Sequence, residues 1–199
     1  TCWADAGQIK YPEWTHYGDS SYSGGTILSD GYRAVVKGQS QDLWDAIVCI
    51  GGQTGYYGAD ILWKIRGIID KFTGGVGLSR GRRSRKELRL GDALDFWRVL
   101  EVEPASRLLL VAEMKTPGEA LLEIRTENLA KDRCEMILLA RFLPKGLLGI
   151  GYWYLLLPFH QYLFTQMLKG LVKASDLEFI SGPEKHRPKP PKTCRLADE

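Results

Sequence analysis

The stretch Gly91–Met114, GDALDFWRVLEVEPASRLLLVAEM, decides the fold. Apolar and polar residues alternate through Leu94, Asp95, Phe96, Trp97 and Arg98. Pro104, Ala105 and Ser106 mark a turn, after which Leu108, Leu109, Leu110 and Val111 run into Glu113. Period two on both sides of a proline-marked turn predicts an antiparallel hairpin. Asp95 and Glu113 stand inside apolar, aromatic-bearing strands, where an unpaired carboxylate is expensive. Either they face water or they mark a polar spot in a cavity.

Working outward, Gly31–Lys37 (GYRAVVK) reads as a strand. Gln41-Asp42 then opens an amphipathic helix carrying Leu43, Trp44, Ile47, Val48 and Ile50, stopped by Gly51-Gly52. A second short helix fits Ala59–Phe72, with an apolar stripe of Ile61, Leu62, Ile65, Ile68 and Ile69. Strand-like runs follow at Leu88–Leu90, Ala93–Glu103, Arg107–Lys115, Glu119–Thr126 and Cys134–Phe142. Short connections make this run an antiparallel meander. A long helix from about Leu147 to Lys173 closes the order. The plan is α+β: a curved antiparallel sheet wrapped around a long C-terminal helix, with two short helices after the first strand. A pocket is expected between sheet and helix.

The span between Lys145 and Lys169 carries no formal charge, close to the roughly 20 residues that cross a bilayer. It also holds Pro158, His160, Gln161 and Gln166, while Tyr152, Leu156, Phe159, Leu163, Met167 and Gly170 follow helical spacing. A buried helix that closes a cavity is preferred over membrane contact.

At 199 residues, with 44% hydrophobic and 11% aromatic content, the chain suits one soluble domain with a core and a cavity. Residues 1–25, rich in Gly, Ser, Tyr and Trp, read as an arm or junction, and 26–175 as the domain. Residues 181–199, with four of the nine prolines, read as a disordered tail. A net charge of +3 selects no polyanionic partner. Cys2, Cys49, Cys134 and Cys194 lack metal-ligand spacing, so a reducing cytoplasm is the expected location and no metal site is expected. The chain starts at Thr1 with no charged-then-apolar leader, which reads as a processed protein or a domain taken from a longer one.

The blocks GGQTGYYGADILWKIRGIIDKFTGGVGLSRGRR (51–83), LRLGDALDFWRVLEVEP (88–104), LLLVAEMKTPGEALLEI (108–124) and RFLPKGLLGIGYWYLLLPFHQYLFTQML (141–168) together resemble a bacterial family of unknown function. That family commonly forms the C-terminal half of two-domain proteins whose N-terminal half is an atypical short-chain-dehydrogenase-type NAD(P)-binding domain. The resemblance implies a fold similar to the START and polyketide-cyclase helix-grip superfamily. It implies neither a reaction nor a catalytic residue.

Glycine-rich GGQTGYYG at Gly51 and GGVGLSRG at Gly74 fit neither a dinucleotide fingerprint nor a phosphate loop, since Gly51-Gly52 follows a helix and no Lys-Ser or Lys-Thr closes either run. No cofactor is therefore expected in this chain, and any NAD(P) belongs to an associated reductase-type domain. The basic run Arg80, Arg82, Arg83, Arg85, Lys86 and Arg89 lacks interleaved aromatics and reads as a solvated loop, not a nucleic-acid site.

Candidates for chemistry are Asp95, Glu113 and Glu123 on neighbouring strands and His160 on the closing helix. A carboxylate in an apolar cavity has its pKa raised and suits a general base. Asp95 is the first choice for that role, with His160 or a tyrosine as partner. For Glu113 and Glu123 the preferred reading is as outward cross-strand ion pairs on a wet face, beside Arg107, Lys115 and Arg125. Trp97, Tyr152, Leu156, Phe159, Leu163, Glu113 and Trp63 are the candidate ligand-binding residues. The expected function is a domain binding a hydrophobic or aromatic small molecule beside an NAD(P)-binding reductase domain. The alternatives are a cyclase, hydratase or isomerase using Asp95 or His160, and a structural or dimerising module.

Overall fold

A computed structural model of the protein describes residues 27–52, 54–57, 82–84 and 87–187. The expected arm, the second short helix at Ala59–Phe72 and Trp63 lie outside the described residues. The elements, in chain order, are β1 (Leu28–Lys37), α1 (Ser40–Val48), β2 (Ala93–Leu94), β3 (Trp97–Glu103), β4 (Arg107–Ala112), β5 (Gly118–Ala130), β6 (Arg133–Pro144), α2 (Gly146–Ala174) and β7 (Glu178–His186). The strands form one sheet in the order β2-β3-β4-β5-β6-β1-β7, every neighbouring pair antiparallel. This is the α+β, helix-gripping plan expected, with the meander running in sequence order because its connections are too short for anything but neighbour pairing.

Alternation of side chains divides the sheet into two faces. On the concave face Tyr32, Ala34, Val36, Trp97, Val99, Leu108, Leu110, Leu122, Ile124, Met136 and Leu138 join α1 and the second half of α2 in one core. The outer face has only a small cluster of Leu109, Val111, Leu121 and Leu143. Helix α1 begins where Asp42 Oδ2 accepts the Gln39 N–H at 2.8 Å, and Asn128 Oδ1 accepts from the Ser40 backbone and hydroxyl at 2.8 and 2.6 Å. These bonds occupy first-turn donors and tie the helix to β5.

Helix α2 is built in two halves. From Leu163 on, Phe164, Met167, Leu168, Leu171 and Val172 are buried in the core. A side chain at Gly170 would collide with the Tyr57 backbone, its Cβ falling 2.3 Å from the Tyr57 carbonyl oxygen, so the chain after α1 crosses the helix there. The first half touches the protein on a narrow line: Gly149 against Pro117 and Pro144, and Trp153 stacked on Phe142 at 5.7 Å. Leu147, Leu148, Tyr154, Leu155, Phe159 and Tyr162 are exposed. The expectation of a buried helix is corrected for the first half, because only the second half has both the sheet and α1 against it. The buried line also runs through Gly149, Trp153, Leu163, Phe164 and Met167, so the expected stripe at Tyr152, Leu156 and Phe159 is displaced by about one residue.

Besides shifts of a few residues at the ends of other strands, three features differ from the sequence reading. Leu88–Leu90 is not a strand. Ala93–Glu103 is two strands, because Asp95 adopts a positive φ of 55° and turns the chain. Residues 181–186, expected in the tail, belong to β7, whose backbone pairs with the outer edge of β1. Proline is tolerated in such a strand because an edge leaves one side of the ladder unpaired.

Candidate functional site

Core-facing parity along β1 places Asp30 on the same side as Tyr32, Ala34 and Val36, under α2. Asp30 is only 3% exposed. Its Oδ1 accepts an ion pair from Lys185 Nζ of β7 at 3.0 Å, and its Oδ2 stands 3.6 Å from His160 Nδ1 of α2. His160 packs edge-on against Trp153 at 5.0 Å and tilted against Phe164 at 5.3 Å. Tyr32 adds a further ring beside Phe164, and Lys185 lies over Tyr32 at 5.9 Å. Three elements distant in sequence thus bring a carboxylate, an imidazole and an ammonium into an aromatic enclosure.

The electrostatics of this group follow from its partners. Burial acts to raise the Asp30 carboxyl, but the nearby polar groups and charge of His160 and Lys185 outweigh it and hold the group below the ordinary value of 3.8. The Asp30 carboxylate in turn raises Lys185, chiefly by hydrogen bonding. Burial raises the Tyr32 phenol, and the charge of Asp30 adds to the shift. Asp30 Oδ2 and His160 Nδ1 are fully buried, and neither has a hydrogen bond among the described residues. Such atoms normally have partners. Neither Asp30 nor Lys185 was among the sequence candidates. Extending β1 by three residues would have exposed Asp30 as a carboxylate of core-facing parity, whereas nothing in the proline-rich C-terminal segment signals that Lys185 returns to the sheet.

Asp95 is buried, at 6% exposure, but serves a different purpose. Its Oδ2 accepts the Gly52 N–H at 2.9 Å and the Tyr56 hydroxyl at 3.1 Å. The tyrosine partner expected for it is present, yet both contacts join the β2–β3 turn to the segment after α1. Tyr56 also stacks on Phe96 at 5.9 Å. Beside this junction, Arg82 donates to the carbonyl of Val48, an acceptor left open at the end of α1, and at 2.6 Å to that of Ile50 just beyond it. The Tyr57 hydroxyl donates to Ala46 O at 2.7 Å, and burial pushes its pKa up to about 12, so it remains a donor. Asp95 and His160 do not meet through any described contact.

The remaining sequence candidates separate widely. Trp97 and Leu163 are buried in the main core, Tyr152 is half-buried against Phe142 at 5.8 Å, and Leu156 is half-buried. Phe159 is 52% exposed, which corrects its placement in a pocket lining. Glu113 pairs with Arg98 through both carboxylate oxygens, at 2.6 and 3.2 Å, at the half-exposed end of β4. The ion-pair reading of Glu113 replaces the ligand-binding one, since a bidentate guanidinium occupies both oxygens. In the basic run, Arg83 grips Asp92 twice at 3.0 Å and Arg89 meets Glu87 at 3.3 Å. Arg80, Arg85 and Lys86 lie outside the described residues.

On the outer face Glu123 is 1% exposed beneath Arg107, Arg125 and Arg141, at 2.8, 2.5 and 2.8 Å. The expected outward ion pair is present, but it is dry rather than wet. Nearby, a groove of about 330 Å³ is lined by Glu103, Ser106, Arg107, Arg125, Glu127 and Glu135, among others. Several of its charges already pair locally, as Arg107 does with Glu101 at 2.9 Å. No group of three or more His, Cys, Asp or Glu suited to a metal occurs among the described residues. No helix among them is long and apolar enough to cross a membrane.

Comparison with known proteins places this geometry in context. The sequence matches the family described as "Protein of unknown function (DUF2867)" over residues 22–167. No curated protein matches it. Solved structures with a similar course include an aromatase/cyclase from Streptomyces sp. R1128, 13% identical, with a TM-score of 0.45 over 76% of this chain and 94% of that one. Norcoclaurine synthase from Thalictrum flavum is 10% identical, with a TM-score of 0.47 over 75% and 93%. An HSP90 activator from Plasmodium falciparum is 11% identical, with a TM-score of 0.43 over 77% and 97%.

Proposed function

The chain belongs to this DUF2867 family of unknown function, and we propose that it binds a hydrophobic or aromatic small molecule between the concave face of the sheet and the first half of α2. One observation carries the reading: the buried, unsatisfied Asp30–His160 pair set among Tyr32, Trp153 and Phe164. An aromatic enclosure with a few placed polar groups is the usual make-up of a small-molecule site. The narrow line of contact under residues 146–160 supports the same reading, because that half of the helix is held by few neighbours and can yield to an occupant. Half-buried Tyr152 and Leu156 flank this line. Any NAD(P) chemistry would belong to a separate reductase-type domain working beside this one, a part of the reading that rests on the sequence resemblance.

A second reading, a cyclase, hydratase or isomerase, is favoured by the same pair. An imidazole backed by a carboxylate is a general base of ordinary construction. Asp95 is the weaker candidate, because its carboxylate already accepts from Gly52 and Tyr56.

Native mass spectrometry of protein purified without added ligand tests the binding reading, together with titration of 1-naphthol followed by fluorescence. A retained small molecule, or saturable 1-naphthol binding weakened in Leu156→Asp with the fold intact by circular dichroism, is the expected result. Absence of both retained mass and saturable binding would overturn it.

A further inference from the structure

We propose that Asp30 is a positioning residue that holds His160 as its Nδ1–H tautomer, so that Nε2 accepts a hydrogen bond from a flat ligand carrying a hydroxyl or N–H donor. The proposal rests on the binding reading above and specifies the chemistry of its ligand. Neutral imidazole carries one proton, and the partner of one nitrogen decides what the other can do. Here Nδ1 faces Asp30 Oδ2 at 3.6 Å, and both atoms are buried without any other hydrogen bond among the described residues. A proton on Nδ1 gives each of the two its natural partner after a closure of a few tenths of an ångström. A proton on Nε2 instead would set a bare nitrogen lone pair against a carboxylate oxygen in a buried site, which is repulsive.

Lys185 completes the arrangement from β7. Its Nζ binds Oδ1 at 3.0 Å, leaving Oδ2 as the oxygen turned to the imidazole. The carboxylate is therefore fixed from one side by the edge strand while it orients a ring on the helix. The Nε2 edge of His160 receives no hydrogen bond from the described residues, and the side chain keeps 13% exposure. Trp153 and Phe164, packed on the imidazole, give the site a preference for a flat apolar body. A single acceptor beside aromatic surfaces suits a phenol-like molecule better than a hydrocarbon of the same shape.

Two measurements on the full chain test this. Long-range ¹H–¹⁵N correlation spectra report imidazole tautomers directly, with His160→Gln assigning the signal among the three histidines. The expected wild-type result is Nδ1–H, with loss of that tautomer in Asp30→Asn, whose amide can donate to Nδ1. An Nε2–H tautomer in the wild type would overturn the proposal, whether or not Asp30→Asn folds. In parallel, 1-naphthol should bind about tenfold more tightly than 1-methylnaphthalene, the scale of one buried hydrogen bond, and the preference should vanish in Asp30→Asn. Equal binding of the two probes defeats the ligand assignment while sparing the binding reading. Binding of neither defeats the binding reading and the ligand assignment with it.

Discussion

Asp30 and Glu123 are both nearly inaccessible carboxylates on one sheet, yet they lie on opposite faces and are served differently. Glu123 has three arginines at hydrogen-bond distance, so its acceptor capacity is largely filled by three guanidinium N–H donors. Asp30 has a lysine on one oxygen and an imidazole just outside hydrogen-bond distance of the other. A saturated carboxylate has no capacity left for a ligand and is read as structural. An under-served one, next to a titratable ring and beneath a loosely held helix half, is where a molecule from outside would find an opening. Burial alone does not separate the two, but the accounting of partners does.

Breaking the saturated side should have the largest effect. Glu123→Ala leaves three arginines packed without their counter-charge, and urea unfolding should show a loss of about 3 kcal/mol. A loss below about 1 kcal/mol would show that Arg107, Arg125 and Arg141 turn to solvent, and the contrast would collapse. Asp95 provides an internal standard for a wholly structural carboxylate. Asp95→Ala should cost about 2 kcal/mol by removing the acceptor of the Gly52 N–H and the Tyr56 hydroxyl. Asp95→Asn should recover most of that loss, because asparagine tolerates the positive φ of 55° and its amide oxygen still accepts. If Asp95→Asn unfolds as readily as Asp95→Ala, the charge matters more than the geometry.

The under-served side should show itself through pH. Because Asp30 is held below 3.8 in the folded protein, it contributes stability at pH values above that figure. The contribution should disappear as pH falls from about 4 through the lower folded-state value. Asp30→Asn should therefore lose about 1 kcal/mol near pH 6 and resist acid unfolding below pH 4 better than expected from that loss. Parallel acid-unfolding curves for the two proteins would count against the coupling of Asp30 to His160 and Lys185, with Tyr32 the other titratable group at the site. Lys185→Met should have the smallest effect, about 0.5 kcal/mol, since a half-exposed ammonium pairs weakly in water. It should, however, leave the imidazole as the nearest remaining side-chain partner of Asp30 among the described residues, a change visible in the histidine spectra even where stability scarcely moves.

The hairpin at Gly91–Met114, the apolar set of α1 and the order of the meander were all legible in the chain, because alternation and short turns act locally. Asp95 shows where local reading stops. Its flanks, Leu94, Phe96 and Trp97, continue a strand pattern, but the residue turns the backbone at positive φ and spends its carboxylate on Gly52 and Tyr56, some forty residues earlier. The same limit applies to α2. Its sequence shows an uncharged helix of the right length, but only the placement of sheet and α1 decides that Met167, Leu168 and Leu171 are buried while Leu147, Leu155 and Phe159 are exposed.

The sequence by itself determined the α+β class, the antiparallel order and the presence of a long terminal helix, all consequences of periodicity and turn chemistry within a few residues. Tertiary structure alone decided which polar groups meet. Asp30, His160 and Lys185 are separated by more than a hundred residues between the first and the last, and join only because β7 returns to the free edge of β1 as α2 crosses the concave face. Hydrogen bonds and ion pairs are short-ranged and carry no periodic signature, so their partners become known only when the chain is packed.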